Sequence, residues 1–194
     1  MLSKRLQAIC DLTPPNTKII DVGTDHAYVP IYLAKNKNCI CLATDISENC
    51  IKKAKENIKD LNIETKVTDG LNGINVKDEI IIISGMGTST IKKIIQNIKT
   101  NDLIISTHTH IPELKKYLKK KHYKIHKEKV IKEKQYYIIT YYKYKKGKKI
   151  KPYYTSNKQY MKYTLKYYQM KYKNTKKIKY KYLTKKITKY LKKM

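Results

Sequence analysis

Short apolar runs alternate with longer amphipathic stretches along the first 143 residues. Residues 18–22, 39–44, 64–68, 79–84 and 103–106 read as strands, with 79–84 the most apolar. Between them, 27–35 and 47–61 read as helices, the second opened by Ser47 as N-cap with Ile51, Ala54, Ile58 and Leu61 on one face. A further helix is predicted over 88–98 with Ile91, Ile94, Ile95 and Ile98 inward, and another over 112–121 with proline at its start. Two more strands, 123–130 and 136–143, stand close enough in sequence to pair antiparallel. Apolar strands alternating with amphipathic helices predict an α/β fold: a mostly parallel sheet covered by helices on both faces. Sheets of this kind take ligands beyond the carboxyl ends of their strands, and candidate chemistry is therefore sought in the loops that follow them.

After residue 143 the pattern changes. Met161, Leu165, Tyr168 and Tyr172 step by 4, 3 and 4, and Tyr180, Leu183, Ile187, Tyr190 and Met194 by 3, 4, 3 and 4. The segment 173–177 carries no seam residue, and the two registers do not join at one heptad phase. This predicts a C-terminal helical extension, a coiled-coil hairpin. The composition alone would also suit a disordered basic tail. The 194 residues thus divide into an α/β domain over 1–147 and an extension over 148–194.

Charge sharpens the division. The whole chain carries +29, of which +21 lies after Glu133, the last acid, where 21 lysines and no acids occur. Such an excess seeks a polyanion, and the extension is the part facing it. No run of 18 apolar residues exists, so a membrane partner is not expected. The N-terminal Met1-Leu2-Ser3-Lys4-Arg5 has no apolar signal core, and the four cysteines make no secreted framework, so a cytoplasmic, reduced protein is expected. Nineteen tyrosines occur with neither Phe nor Trp, so every aromatic core position brings a hydroxyl that needs a partner.

The loop after the first strand reads Asp21-Val22-Gly23-Thr24-Asp25-His26-Ala27-Tyr28-Val29-Pro30. Gly23 lets the backbone turn tightly beside a ligand. The further glycines of a dinucleotide fingerprint are missing, and two acids would repel a pyrophosphate. A cationic cofactor such as S-adenosyl-L-methionine suits them better. Asp45 ends the second strand, where an acid commonly accepts hydrogen bonds from ribose hydroxyls; it would equally suit the start of the following helix. Asp69-Gly70 follows the third strand, and could contact an adenine amino group or form a simple turn. Gly85-Met86-Gly87 follows the fourth, as a tight helix entry or a substrate-facing loop. Acids and glycines at successive strand ends jointly predict a nucleoside-cofactor site.

His108-Thr109-His110 has alternate spacing but no evident third ligand, so no metal is expected, and His108 is placed at the substrate edge. Cys39 and Cys41 fill core space, and His122 and His126 sit on the surface.

Leu2-Ser3-Lys4-Arg5-Leu6, the 21–30 loop, Asp69-Gly70-Leu71 and Ser84-Gly85-Met86-Gly87 occur in an order and spacing that resemble the bacterial tRNA methyltransferases acting on N1 of adenine 22 in the D-arm. The resemblance covers about residues 2–143 and implies a Rossmann-like class I methyltransferase domain followed by a helical, coiled-coil-like region. It implies S-adenosyl-L-methionine as methyl donor, with Gly23, Asp45, Asp69 and Gly70 matched as its binders; Asp21, Ile46, Gly85 and Met86, at the same strand ends, complete the expected cofactor set. Asp25, His26 and Tyr28 become the catalytic set, with Asp25 steadying the charge that develops on the base, His26 orienting it, and Tyr28 stacking on the base. Arg5, Tyr28, His108, Lys166, Lys173, Lys176 and Lys177 become the tRNA contacts, on a protein expected to be a monomer. Three positions depart from the family pattern: Thr88 where a glycine is usual, Ser106-Thr107-His108 where Gln-Pro-Asn is usual, and Asp45 in place of Glu. The competing readings are a non-catalytic basic RNA-binding protein on a Rossmann-like scaffold, a methyltransferase for another RNA position, for a protein or for a small molecule, and a nicotinamide-dependent oxidoreductase.

Overall fold

A computed structural model describes residues 2–98, 101–145 and 157–194. The chain divides into two units, Met1–Lys151 and Pro152–Met194. In the first, strands β1 (Lys18–Val22), β2 (Ile40–Asp45), β3 (Ile63–Val67), β4 (Ile80–Ser84), β5 (Leu103–Thr107), β6 (Tyr123–Lys132) and β7 (Tyr136–Tyr144) form one sheet in the order β3-β2-β1-β4-β5-β7-β6. The first five run parallel, and β7 is antiparallel to both of its neighbours. The last two strands pair as their proximity predicts, but β7 inserts between β5 and β6, an order that periodicity does not specify.

Alternation along each strand builds two cores. Ile19, Cys41, Ile82, Ile104 and Ile139 face one side, covered by α1 (Lys4–Leu12), α2 (Tyr28–Lys37) and α3 (Glu48–Ile58). Ile20, Ile81, Ile83, Leu103 and Ile105 face the other, covered by α4 (Thr88–Ile94) and α5 (Ile111–Lys120). Each fully buried isoleucine contributes about 1.5–3 kcal/mol, and the run Ile80–Ile83 stabilises both layers at once. Burial pushes the Cys10 and Cys41 thiols up to about 12, which keeps them packed and unreactive. Tyr141 satisfies its buried hydroxyl by donating to Asp102 Oδ2 at 2.8 Å.

Local chemistry fixes the helix ends. Ser47 caps α3, accepting from the Cys50 amide, and Pro112 sits in the first turn of α5. Helix α1, not expected from the pattern, is capped by Ser3, which accepts from the Leu6 amide, and buries Ala8, Ile9 and Leu12. Helix α4 stops at Ile94 rather than 98: beyond it Gln96 and Ile98 donate to carbonyls three residues back, tightening the chain while Ile95 and Ile98 stay buried.

The second unit is a helical hairpin, α6 (Lys158–Thr175) and α7 (Ile178–Leu191). Its connector is shorter than the 173–177 expected, because α6 runs through Thr175 and turns at Lys176, which adopts φ +51° and returns its amide to Tyr172 O. The Tyr168 and Tyr180 rings stack with centroids 6.0 Å apart. Thr164, rather than Leu165, is the more buried of that adjacent pair, its hydroxyl donating to Tyr160 O. Met194 lies past the end of α7 and is exposed rather than on the seam.

Candidate cofactor and substrate site

Strand order reverses between β1 and β4, the switch point where sheets of this kind form a ligand crevice beyond their carboxyl ends. Asp21 stands there, buried, its Oδ2 accepting from Thr24 Oγ1 at 2.8 Å. Gly23 follows at φ +77°, its amide donating to Thr44 O at 2.8 Å, which lashes the loop to β2. A Cβ on Gly23 would lie 2.4 Å from Met86 Cε, so the loops after β1 and β4 meet across the bare glycine. Asp45, at the tip of β2, accepts from the Ser47 amide through Oδ1 at 2.9 Å and from the Asp25 amide through Oδ2 at 3.3 Å. One carboxylate therefore orients both neighbouring loops. Ile46 beside it is 69% exposed, an apolar side chain held in water.

Asp25 and Ala27 both take positive φ, which turns His26 and Tyr28 outward. His26 Nε2 lies 3.6 Å from Asp25 Oδ2, and its ring centroid is 5.3 Å from that of Tyr28, which is 48% exposed. At the tip of β3, Asp69 is exposed and Gly70 adopts φ +62°, where a Cβ would come within 3.1 Å of Ile94. Both residues line a cavity of about 850 Å3 that runs along α4 past Ile74 and Ile98 to Lys77 and Asn101.

The far wall was only partly foreseeable. Arg5, on α1, donates to Ser84 Oγ at the end of β4, and its guanidinium lies 5.4 Å from the Tyr137 ring centroid. His108 packs edge-on against the same ring at 5.4 Å, and Gln135 Nε2 donates to the Tyr137 hydroxyl at 3.0 Å. Tyr137 thus joins Arg5 to His108, and no local signal in its Tyr-Tyr-Ile-Ile context marks it. The Thr88 departure has a structural role: its Oγ1 donates to Thr109 O at 2.6 Å and its amide to Thr109 Oγ1 at 3.3 Å, clasping the loops after β4 and β5. Gly85 is exposed with φ +77°.

Lys166, Lys173, Lys176 and Lys177 are all exposed on the hairpin, the last two at its turn. Among the described residues, no group of three or more His, Cys, Asp or Glu stands where it could hold a metal ion, and no helix is long and apolar enough to cross a membrane.

Desolvation pushes the Asp21 carboxyl up to about 6; the Thr24 hydrogen bond and Arg5 oppose the shift, while Asp45 adds to it. The folded chain therefore holds this proton more tightly than the unfolded chain, whose carboxyl titrates near 3.8. The resulting stabilisation is complete below pH 3.8 and is lost as pH rises through about 6. Asp21→Asn, neutral throughout, is expected to melt close to the parent at pH 4 and about 5 °C above it at pH 7.5. A melting difference that does not grow with pH would contradict the assignment.

A methyltransferase-domain family model matches residues 2–140. The tRNA (adenine(22)-N(1))-methyltransferase of Bacillus subtilis is 29% identical over 143 residues, 68% of this chain and 60% of that protein, so the match spans less than two thirds of the relative's length. A protein of Mycoplasma genitalium described as a candidate tRNA methyltransferase is 30% identical over 160 residues, 77% of this chain and 73% of its own. Among solved structures, M. capricolum TrmK in complex with the cofactor product S-adenosyl-homocysteine superposes with a TM-score of 0.81 at 27% identity, covering 99% of this chain and 98% of that one.

Proposed function

We propose that the chain, which belongs to the methyltransferase-domain family and is similar to tRNA methyltransferases, methylates N1 of adenine 22 in the D-arm of tRNA, with S-adenosylmethionine as donor. The residues present suit that donor. Asp21 and Asp45 put negative charge at the switch point, Gly23 leaves backbone bare at φ +77°, and Ile46 offers an exposed apolar surface. When bound, the donor supplies an electrophilic methyl group on a cationic sulfur. Asp45 would accept from the ribose hydroxyls, Asp69 from the adenine amino group, and Gly23 and Gly85 would let backbone approach closely.

The chain's own part in the chemistry is positioning, an effect that reaches about 7–11 kcal/mol when two reactants are held in register. N1 lies on the Watson–Crick edge, so the target base must leave its stack, at a few kcal/mol. Tyr28, 48% exposed, would stack its ring on that base, and such stacking is worth about 1–3 kcal/mol. Arg5, Tyr137 and His108 form the opposite wall. Asp25 faces the charge that N1 methylation leaves on the base, and His26 steadies its carboxylate.

One juxtaposition supports this reading best: Asp45 gathers the Asp25 loop at the switch point, so the donor residues and the proposed catalytic set share one carboxylate. The test incubates unmodified tRNA transcripts with protein and labelled donor and maps the product by primer-extension arrest. Arrest at adenine 22 is expected; no label, or arrest elsewhere, overturns the proposal. Asp25→Ala is expected to slow single-turnover methylation about tenfold, a modest loss because the side chain is 61% exposed and water screens it. A parental rate with donor and tRNA saturating would remove Asp25 from the catalytic set.

A further inference from the structure

The hairpin carries a second pattern besides its lysines. On α6, Tyr163, Tyr167 and Met170 step by 4 and 3 and stand exposed. At about 100° per residue they share a stripe roughly 60° wide, turned about 120° from the buried Met161, Thr164 and Tyr168. Lys166 and Lys173 border the stripe on one side and Lys171 on the other. On α7, Ile178 and Tyr182 repeat the four-residue step and are likewise exposed. One local arrangement occurs on both helices: Lys171 Nζ lies 5.6 Å from the Tyr167 ring centroid, and Lys186 Nζ 5.6 Å from that of Tyr182, each a lysine about one turn further on. Tyr163 tilts toward Tyr160, with centroids 6.4 Å apart.

Large apolar side chains gathered in water mark a surface that meets a partner. Charge narrows the choice. Residues 157–194 hold fourteen lysines and no acid, so a second copy of this chain is repelled and a polyanion attracted. Lysine alone would serve a duplex, whose bases are stacked inward and offer only phosphate and groove edges. Rings set among lysines supply what an unpaired base needs, a π surface for its own ring beside a cation for its phosphate. An ammonium 5.6 Å from a ring centroid in water is a loose contact. An arriving base displaces it toward the phosphate that the base brings. An anionic lipid surface also attracts lysine, but three of these five exposed positions are tyrosines rather than the aliphatic residues that sink into acyl chains.

We propose that Tyr163, Tyr167 and Tyr182 stack on unpaired bases of the substrate RNA, which makes the hairpin a reader of loops as well as a holder of phosphates; this rests on the tRNA reading above and extends it from charge attraction to base contact. The two residue types then divide the work. Lysines set the salt dependence of binding, and rings set the preference for unpaired RNA.

The test uses full-length protein without donor and two labelled, unstructured RNAs of equal length and phosphate number, one intact and one abasic through its central half. Affinities are read by fluorescence anisotropy over a salt series. The parent should bind the intact RNA about a hundredfold more tightly, since each stacked base contributes at least about fivefold. The two salt slopes should agree, because the phosphates are the same. Tyr163→Leu, Tyr167→Leu and Tyr182→Leu together should bring the two RNAs within about fivefold and leave the slope unchanged, while phenylalanine at all three positions keeps the preference. Leucine is a good helix former, so circular dichroism should show parental helix content; if it does not, the three single leucine variants, each expected to lose about fivefold, replace the triple one. A parent blind to the missing bases, leucine variants that keep its full preference, a phenylalanine variant that loses it, or tighter binding to phosphatidylserine vesicles than to RNA overturns the stacking surface. Because no methyl transfer occurs in this assay, a ring-dependent preference beside failed tRNA methylation would sink only the function proposed above, whereas methylation at adenine 22 without any such preference would sink only the stacking surface.

Discussion

Gly23→Val is expected to raise the dissociation constant for S-adenosylmethionine about a hundredfold, as measured by calorimetry with full-length protein. Two effects combine at this position. The backbone sits at φ +77°, which a β-branched residue occupies only under strain, typically about 1–3 kcal/mol. The new side chain would also enter the space of Met86 Cε, 2.4 Å from the Cβ position. Met86 can swing away, so the collision is the smaller part, and Met86→Ala should relieve it without restoring affinity. The strain remains because the loop is fixed on both sides, by Gly23 N–H to Thr44 O and by Asp45 to the Asp25 amide. A chain that relaxes by lifting the loop loses the crevice, and one that keeps the crevice keeps the strain. Gly23→Ala should fall between parent and valine variant. If the valine variant binds the donor as the parent does, the crevice beside Gly23 is not the donor site.

Removal of residues 151–194 is expected to lower tRNA affinity about a thousandfold at 0.15 M salt while the donor dissociation constant stays within twofold. The deleted segment holds fifteen lysines and no acid. Each phosphate neutralised contributes about 0.9 to the slope of log affinity against log salt on duplex RNA or DNA. Five such contacts give a slope near −4.5, and losing them produces a change of this size. Donor binding should survive because both cores of the first unit are drawn from residues 2–144. A second variant keeps the hairpin: glutamine at Lys166, Lys173, Lys176 and Lys177, all exposed, should flatten the salt slope by about 3.6 if all four meet phosphate. Unchanged tRNA affinity and slope in both proteins would remove the hairpin from RNA binding.

The sheet and most of its helices were legible because their signals are local. Four consecutive β-branched isoleucines from Ile80, bounded by polar residues and Gly85, read as a strand buried on both faces, and Ile51, Ala54 and Ile58 fall on one stripe behind Ser47. Helix α1 was not legible: its nine residues are short for a periodicity, and Lys4 and Arg5 dilute its apolar face. The strand-tip acids could be found from position alone, since any acid at such a tip is a candidate. What Asp45 holds could not, because its bond to the Asp25 amide depends on the positive φ at Asp25. Tyr137 carries no local signal for a different reason. Its partners Arg5 and His108 come from distant parts of the chain, and only the insertion of β7 beside β5 brings them together.

That insertion also governs how the protein can be made. The strand that seals β5 is the last of the seven to leave the ribosome, so β6 emerges earlier yet has no neighbour to join. Until residue 144 is synthesised, the hydrogen-bonding edge of Leu103, Ile104 and Ile105 stays open to other nascent chains. Messages cut short within the codons for 123–144 should therefore yield insoluble product, and chaperone demand during translation should peak over that same stretch.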